Sequence, residues 1–395
     1  MAPTDTPLFD ADNHYYEPRD AFTRFIEPRF RDKAIHLVKD ETGRDRVMIG
    51  DRPFTFLENA YTEQVTKPGA LREMLRNLSS GNFSESEVRE PLQPEYTNRE
   101  ARLRLMDEQG LQSILLFPTL AVCVEHFMKD DVEQSYANLH SFNRWLDEEW
   151  GFDHLGRLFA VPLLSLLDID RAVEELEWVM ERGASVVHLR PGPAFGRSPA
   201  DPHFDPFWSR IDEARVTVAF HIAESGYNEM MSVNFGENPN PASHKQSAFQ
   251  WTSFYGDRPI MDTMSSLIFY NLFGRFPNVR VLSVENGSLW APYLMKVMDK
   301  MKGMGRNGPW PGGYVKGRPS EVLKRHVYVS PYHEEDLVAL TEALGASQVV
   351  FGSDFPHPEG LAEPAEFAEG LAGLSDADIR AIMYENTQRL VSGAA

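Results

Sequence analysis

Several short stretches of this sequence end in residues that bind metal ions or move protons: Asp12-Asn13-His14, Phe220-His221, Val284-Glu285 and Ser353-Asp354-Phe355-Pro356-His357. Each follows an apolar run of the kind that forms a buried strand. Successive residues of a strand point to opposite faces, so Asp12 and His14 share one side and can reach one ion. A lone His or Asp at a strand end ordinarily satisfies a hydrogen bond or caps a helix. Carboxylates converging on one mouth are different. They repel one another and are costly to desolvate, and a cation removes both costs. Asp12, His14, His221 and Asp354 are therefore the first candidates for a metal site, with Glu285 next. Glu17, His188 and His357 are further candidates, as ligands, as substrate contacts or as partners that orient ligands. Arg190, in Arg190-Pro191-Gly192, can hold a substrate carboxylate bidentately. Phe117 is expected to line the pocket wall. His126, His140, His154 and His203 lie in helical or loop contexts and read as packing residues, as does the lone Cys123.

The elements that must position these residues alternate along the chain. Leu8, Leu111–Pro118, Leu158–Leu163, Ser185–Leu189, Val216–His221, Val279–Val284, His326–Val329 and Gln348–Phe351 read as strands, most of them apolar on both faces. Helices fall between them, as in the stripe Ile169, Ala172, Val173, Leu176, Val179 and Met180, which Gly183 ends. Strict alternation implies a parallel sheet with right-handed crossovers. Eight such units predict an α/β fold, a (β/α)8 TIM-type barrel spanning residues 1–395 as one domain. A small β-hairpin insertion and long loops interrupt it at about 35–98 and 227–258. Active residues of such barrels sit at the C-terminal strand tips, where the candidates lie. Neither a G-x-G-x-x-G after the first strand nor a P-loop is present. The stretch 58–98 is expected to be irregular, a long excursion or a subunit-contact arm. The aromatic residues of 227–258 (Phe249, Trp251, Phe254, Tyr255) form either a lid or a subunit interface.

Composition narrows the partners. The chain has 395 residues, 59 acidic and 39 basic, for a formal charge of -20. Nucleic acid and anionic membrane surfaces are poor partners for such a chain. A single cysteine rules out a disulfide framework and Cys-based metal clusters. No apolar stretch is long enough for a membrane span, and the first residues lack a secretory pattern, so a cytoplasmic location is expected. A small-molecule substrate and a homo-oligomeric state are expected as well.

The motifs together resemble the amidohydrolase-related (amidohydrolase 2) branch of the amidohydrolase superfamily. They are Asp12-x-His14 with Glu17-Pro18, His221, Phe276-Pro277-Asn278 before Glu285-Asn286-Gly287-Ser288-Leu289-Trp290-x-Pro292, Gly352-Ser353-Asp354-Phe355-Pro356-His357, and the closing Glu385-Asn386-Thr387-Gln388-Arg389-Leu390. The resemblance implies a distorted barrel with one or two divalent ions (Fe, Mn or Zn) at its mouth. By it, Asp12 and His14 match first-strand ligands and His221 the strand-five ligand. Asp354 matches a strand-eight carboxylate that binds metal and shuttles a proton. The chain departs from relatives in having Glu285 where many have His, and Asp-x-His in place of His-x-His. Both changes enrich the site in oxygen and favour manganese or iron over zinc. His188 occupies the neighbourhood of the carboxylated Lys found in two-zinc members. The expected activity is hydrolysis of a small, apolar molecule by metal-activated water, with Asp354 and His221 catalytic. The alternatives are a non-haem diiron monooxygenase acting on a terpenoid-like molecule and a non-oxidative decarboxylase.

Overall fold

The computed structural model describes residues 6–57, 61, 63–80 and 88–393. Its strands, in chain order, are β1 (Leu8–Tyr15), β2 (Ile35–Lys39), β3 (Asp45–Ile49), β4 (Arg52–Pro53), β5 (Gln64–Thr66), β6 (Arg89–Pro91), β7 (Leu111–Pro118), β8 (Leu158–Ala160), β9 (Val186–His188), β10 (Thr217–His221), β11 (Arg280–Val284) and β12 (Val327–Val329). The apolar runs pair in parallel as β1-β7-β8 and as β9-β10-β11-β12. Single parallel bridges join these arcs: Leu163 with His188, Val329 with Val349, and Asn13 with Phe355. The extended segment around 349–355 is thus the eighth stave, hydrogen-bonded through Val350 N to Val329 O (3.0 Å) and Ala11 N to Phe351 O (2.8 Å). The ring closes as a TIM barrel.

The helices between the staves stand on ordinary signals. Asn98, Asp131 and Asp168 cap Arg99–Gln109, Val132–Glu149 and Ile169–Met180 by accepting from a backbone N–H in the first turn, and left-handed Gly110 ends the first of them. Inside the ring a plug of Phe9, Ala11, Leu115, Phe117, Phe159, Val186, Ala219, Leu282, Val284, Tyr328 and Val350 fills the barrel below its mouth. Outside it the wall packs on the helices through a second, larger core.

One irregularity matters for the chemistry. Along β1, Asp10 pairs with Ile114 but Asn13 pairs with Leu116, so β1 carries one extra residue between them. A bulge of one residue flips the facing of everything beyond it. Phe9 and Ala11 face the barrel plug, and a straight strand would put Asn13 inward next. The bulge instead turns Asp12 and His14 into the mouth.

The expected hairpin is present, as antiparallel β2-β3 with β4 on its edge. The excursion after it is more ordered than its polar sequence suggests. It holds the helix Leu71–Ser80 and an antiparallel ribbon of β5 and β6. The parts of the expected irregular stretch at 58–60, 62 and 81–87 lie outside the described residues, as does the terminal segment 1–5. Residues 227–258 form short helices, Tyr227–Met231 and Ala248–Phe254, beside the mouth. No helix among the described residues is long and apolar enough to cross a membrane.

Candidate metal centre

The strand tips deliver their side chains to one point. His14 Nε2 lies 3.2 Å from Asp12 Oδ1, 3.3 Å from Asp354 Oδ1, 3.3 Å from His221 Nε2 and 3.7 Å from Glu285 Oε2. His221 Nε2 lies 3.1 Å from Glu285 Oε2 and 3.7 Å from Asp12 Oδ1. Two groups of four donors result, Asp12-His14-His221-Glu285 and His14-Glu285-Asp354-His357. In each, the ligand atoms lie within 4.8 Å of one another. All are buried or nearly so. Acceptors therefore face acceptors in a region water cannot easily screen. His221 Nδ1 sits 2.9 Å from Ile222 O and must donate to it, which leaves the Nε2 lone pair aimed at the cluster. The donor set fits a divalent ion: Asp12, His14, His221, Glu285 and Asp354 would hold it.

Backbone geometry supports this placement. Glu285 (φ 54°) and Asp354 (φ 57°) are both left-handed, at a cost of about 1–3 kcal/mol each. Asn286 holds the first turn by donating to Phe220 O and Val284 O. A Cβ on Gly352 would fall 2.7 Å from Asp12 Cβ and 2.2 Å from Ser330 Oγ, so only glycine lets the eighth stave approach this closely.

The charges are in conflict without a cation. Burial raises the pKa of Asp354 well above the usual carboxylate range, and the nearby Glu285 and Asp12 add to it. Burial also raises Glu285, against the pull of His221. Burial opposes charge on Asp12, but the imidazoles of His14 and His221 hold its pKa low. Burial and repulsion from His357 push His14 down to about 3. Burial opposes a proton on His221 too, yet Asp12 and Glu285 carry it up to about 10. The carboxylates that would favour that proton would favour a divalent ion in the same place.

His357 completes the cluster. Its Nδ1 lies 2.7 Å from Asp354 Oδ1 and its Nε2 3.0 Å from Thr119 Oγ1. Thr119 gives its own proton to Tyr15 O (2.8 Å), so it must accept from His357 Nε2–H. His357 Nδ1 and Asp354 then share one proton between them.

A cavity of about 950 Å³ opens over this floor. Tyr16, Phe56, Leu57, Val122, Trp251, Tyr255 and Tyr332 wall it, so part of 227–258 does cover the mouth. Asp257, Glu334 and Glu359 stand among the other lining residues, and the described lining contains no Lys or Arg. Cys123 also lines it, buried, with its thiol pushed above the usual range by burial.

Other residues singled out in the sequence fall elsewhere. Glu17 Oε1 accepts from Leu120 N (2.9 Å) and Ala121 N (2.8 Å), fixing the turn after β7 outside the donor groups. Burial pushes its pKa up to about 7 against those hydrogen bonds. His188 is buried with its ring 6.5 Å from that of His221 and its Nε2 unpartnered, and it joins neither donor group. Arg190 does not line the cavity. It faces Glu125 (3.3 Å) and donates to Ser225 O (2.8 Å) and Pro193 O (3.1 Å), which uses its fork on the protein itself. Phe117 is not a wall but a floor tile, fully buried with its ring 4.8 Å from His221. His126 and His140 pair with Glu229 and Glu175 (2.7 Å each), away from the mouth.

Sequence reasoning missed a polar layer on the other face of β1. Asp10, Asn13, Arg102 and Ser353 are buried between barrel wall and helices. The available signal was Asp10 itself, a charge at an outward position of an otherwise apolar strand.

Barrel, strand-tip donors and cavity together define a metal-dependent enzyme of the amidohydrolase type. The amidohydrolase family model matches residues 10–392, and the chain belongs to that family. Among solved structures it is similar to an amidohydrolase from Mycobacterium avium subsp. paratuberculosis K-10, at 37% identity and a TM-score of 0.87, covering 98% of this chain and 100% of that one. It shares its fold with 5-carboxyvanillate decarboxylase from Sphingomonas paucimobilis (18% identity, TM-score 0.63, 98% and 99% covered). The same holds for a dihydroxybenzoic acid decarboxylase from Polaromonas sp. JS666 with bound manganese and 2-nitroresorcinol (14% identity, TM-score 0.58, 98% and 97% covered). No curated protein matches the chain.

Proposed function

We propose that this chain is a hydrolase of a small, uncharged, largely apolar molecule, working as one barrel around a single manganese or iron ion. The observation that carries the reading is the proton-sharing pair Asp354–His357, built into the edge of the donor cluster. A bound divalent ion would supply an acidified water and polarise the scissile group. In the active form the pair holds no proton: Asp354 is ionised and His357 Nδ1 is free to accept, so Asp354 takes the proton from the attacking water and shares it with His357 Nδ1 at 2.7 Å. The proton then returns through Asp354 to the leaving group. His14 and His221 keep their Nε2 lone pairs on the centre. The aromatic walls exclude bulk water and bind the apolar body of the substrate.

One ion is the economical count. The two donor groups share His14, whose Nε2 faces both Asp12 (3.2 Å) and Asp354 (3.3 Å), and an imidazole nitrogen has one lone pair to give. Oxygen-rich donors favour manganese or iron over zinc. Charge argues for hydrolysis over decarboxylation. Asp12, Glu285 and Asp354, when ionised, bring three negative charges, more than a divalent ion cancels, and no Lys or Arg of the described lining waits to hold a substrate carboxylate. A second reading, a diiron monooxygenase, is favoured by Glu285, whose carboxylate belongs to both donor groups and can bridge two ions.

The experiment is turnover of a panel of neutral esters, lactones and amides in ¹⁸O-labelled water, with and without oxygen, after elemental analysis. The expected result is one metal per chain and one ¹⁸O in the product, independent of oxygen. Two irons per chain with oxygen consumed would replace the hydrolase by the second reading. Carbon dioxide release from aromatic acids would replace it by a decarboxylase.

A further inference from the structure

Of the buried polar layer behind β1 only Ser353 reaches the cavity, yet the layer grips every backbone segment that carries a first- or eighth-stave donor. Asp10 is fully buried and its carboxylate accepts four hydrogen bonds. Oδ1 accepts from Asp12 N (3.1 Å) and Ser353 N (2.9 Å). Oδ2 accepts from Asn13 Nδ2 (2.8 Å) and from Ser353 Oγ. The hydroxyl of Ser353 in turn accepts from Phe355 N (3.1 Å), so the residues on both sides of Asp354 are tied to one carboxylate. Asn13 has its amide oriented from both ends: Nδ2 serves Asp10, and Oδ1 accepts from Arg102. Arg102 also donates to His14 O and Glu95 O (2.7 Å each).

The position of these bonds gives them a meaning beyond cohesion. Asp12 N is the donor that the bulge removes from the regular ladder, and Asp10 Oδ1 is what receives it. Left unsatisfied in a buried wall, that N–H would cost about 1–3 kcal/mol, enough to favour a straight strand with Asn13 inward. We propose that Asp10, held through Asn13 by Arg102, is the positioning residue of the metal centre: it sets the bulge that turns Asp12 and His14 inward and fixes Asp354 against them. The inference rests on the metal-centre reading and is indifferent to which reaction follows.

Every neighbour of the Asp10 carboxylate is a donor. Asp10→Asn, nearly equal in size, therefore puts an NH2 against at least one of them. The test is manganese binding to the full chain, by titration and by the Mn(II) electron paramagnetic resonance spectrum, with no substrate present. Asp10→Asn is expected to weaken manganese binding 10–100-fold and to broaden the spectrum, in the range found when partners behind metal ligands are removed. A control of similar thermal destabilisation far from the mouth, Leu344→Ala, is expected to leave affinity and spectrum unchanged. Native-like affinity and spectrum in folded Asp10→Asn would overturn the proposal. If Asp10→Asn does not fold, Ser353→Ala decides, because it removes the hydroxyl's two bonds, to Asp10 and from Phe355 N, and no charge. A severalfold weaker, altered site upholds the proposal, and an unaltered one overturns it. If no variant and no native chain binds manganese, iron or zinc, the metal reading itself fails, which the native control reports separately.

Discussion

Two buried polar layers share strand β1 and settle their charges in opposite ways. On the outer face, Asp10, Asn13, Arg102 and Ser353 form a closed account of hydrogen bonds in which each carboxylate oxygen meets donors. On the inner face, Asp12, Glu285 and Asp354 meet two imidazoles whose nitrogens they crowd, and carboxylate faces carboxylate. The outer layer is withdrawn from water, while the inner one floors the cavity, with the side chains of Asp354 and Glu285 still only 13% and 15% exposed. The outer one is complete as folded and does structural work. The inner one is incomplete in charge, which is the physical mark of a site for a cation.

If that contrast is right, removing inner donors should cost function far more than fold. His221→Ala is expected to lose bound metal and to reduce kcat/KM at least about 10⁴-fold while the thermal transition stays cooperative. Elemental analysis and a melting curve check it. An inner-layer variant that unfolds the chain yet keeps its metal when folded would break the comparison. Asp354→Asn separates ligation from proton transfer. It is expected to keep metal within about tenfold of native affinity and to lose about 10²–10⁴ in kcat. The native base must be ionised to act, and burial raises the pKa of Asp354, so its rate rises with pH through the ionisation of Asp354. The variant should lack that acidic limb.

How far the sequence could be read divides along the same line. The barrel was legible because each stave is an apolar run and each helix carries a stripe and a cap. Asp12, His14, His221, Glu285 and Asp354 were legible because they stand at the ends of those runs. The bulge was not legible, since nothing in Leu8–His14 marks which of two registers wins. That depends on Asp10 meeting Ser353, 343 positions away. Arg190 and Glu17 misled for a related reason. Their types suit substrate or metal, but Glu125 and the turn after β7 occupy them, and both partners are distant in sequence. His357 was placed near the site, while its proton-sharing with Asp354 needed Thr119 to fix the tautomer.

The inner layer should also gain stability from what completes it. Manganese at about a hundredfold over its dissociation constant is expected to stabilise the chain by about 2.7 kcal/mol, read from urea denaturation with and without chelator. The outer network's variant Ser353→Ala should reduce this gain through its weaker binding. Equal stabilisation of native chain and His221→Ala would mean that the ion binds elsewhere.

Glu17 offers the smallest and most specific test, because it is buried as deeply as the ligands but already has its donors. Burial lifts its pKa to about 7 from an ordinary 4.5, with the N–H groups of Leu120 and Ala121 working against the shift. A raised carboxyl binds its proton more tightly folded than unfolded. Its contribution to stability is present below about pH 4.5 and is lost as pH climbs through about 7. Glu17→Gln keeps an oxygen for both N–H groups and removes the titration. Between pH 5 and 8 the native chain is expected to lose roughly 2 kcal/mol more stability than the variant, measured by urea denaturation at a series of pH values. Metal affinity should stay within about twofold, since Glu17 joins neither donor group. A large loss of metal in Glu17→Gln would move that carboxylate from the satisfied class of buried charge to the unsatisfied one.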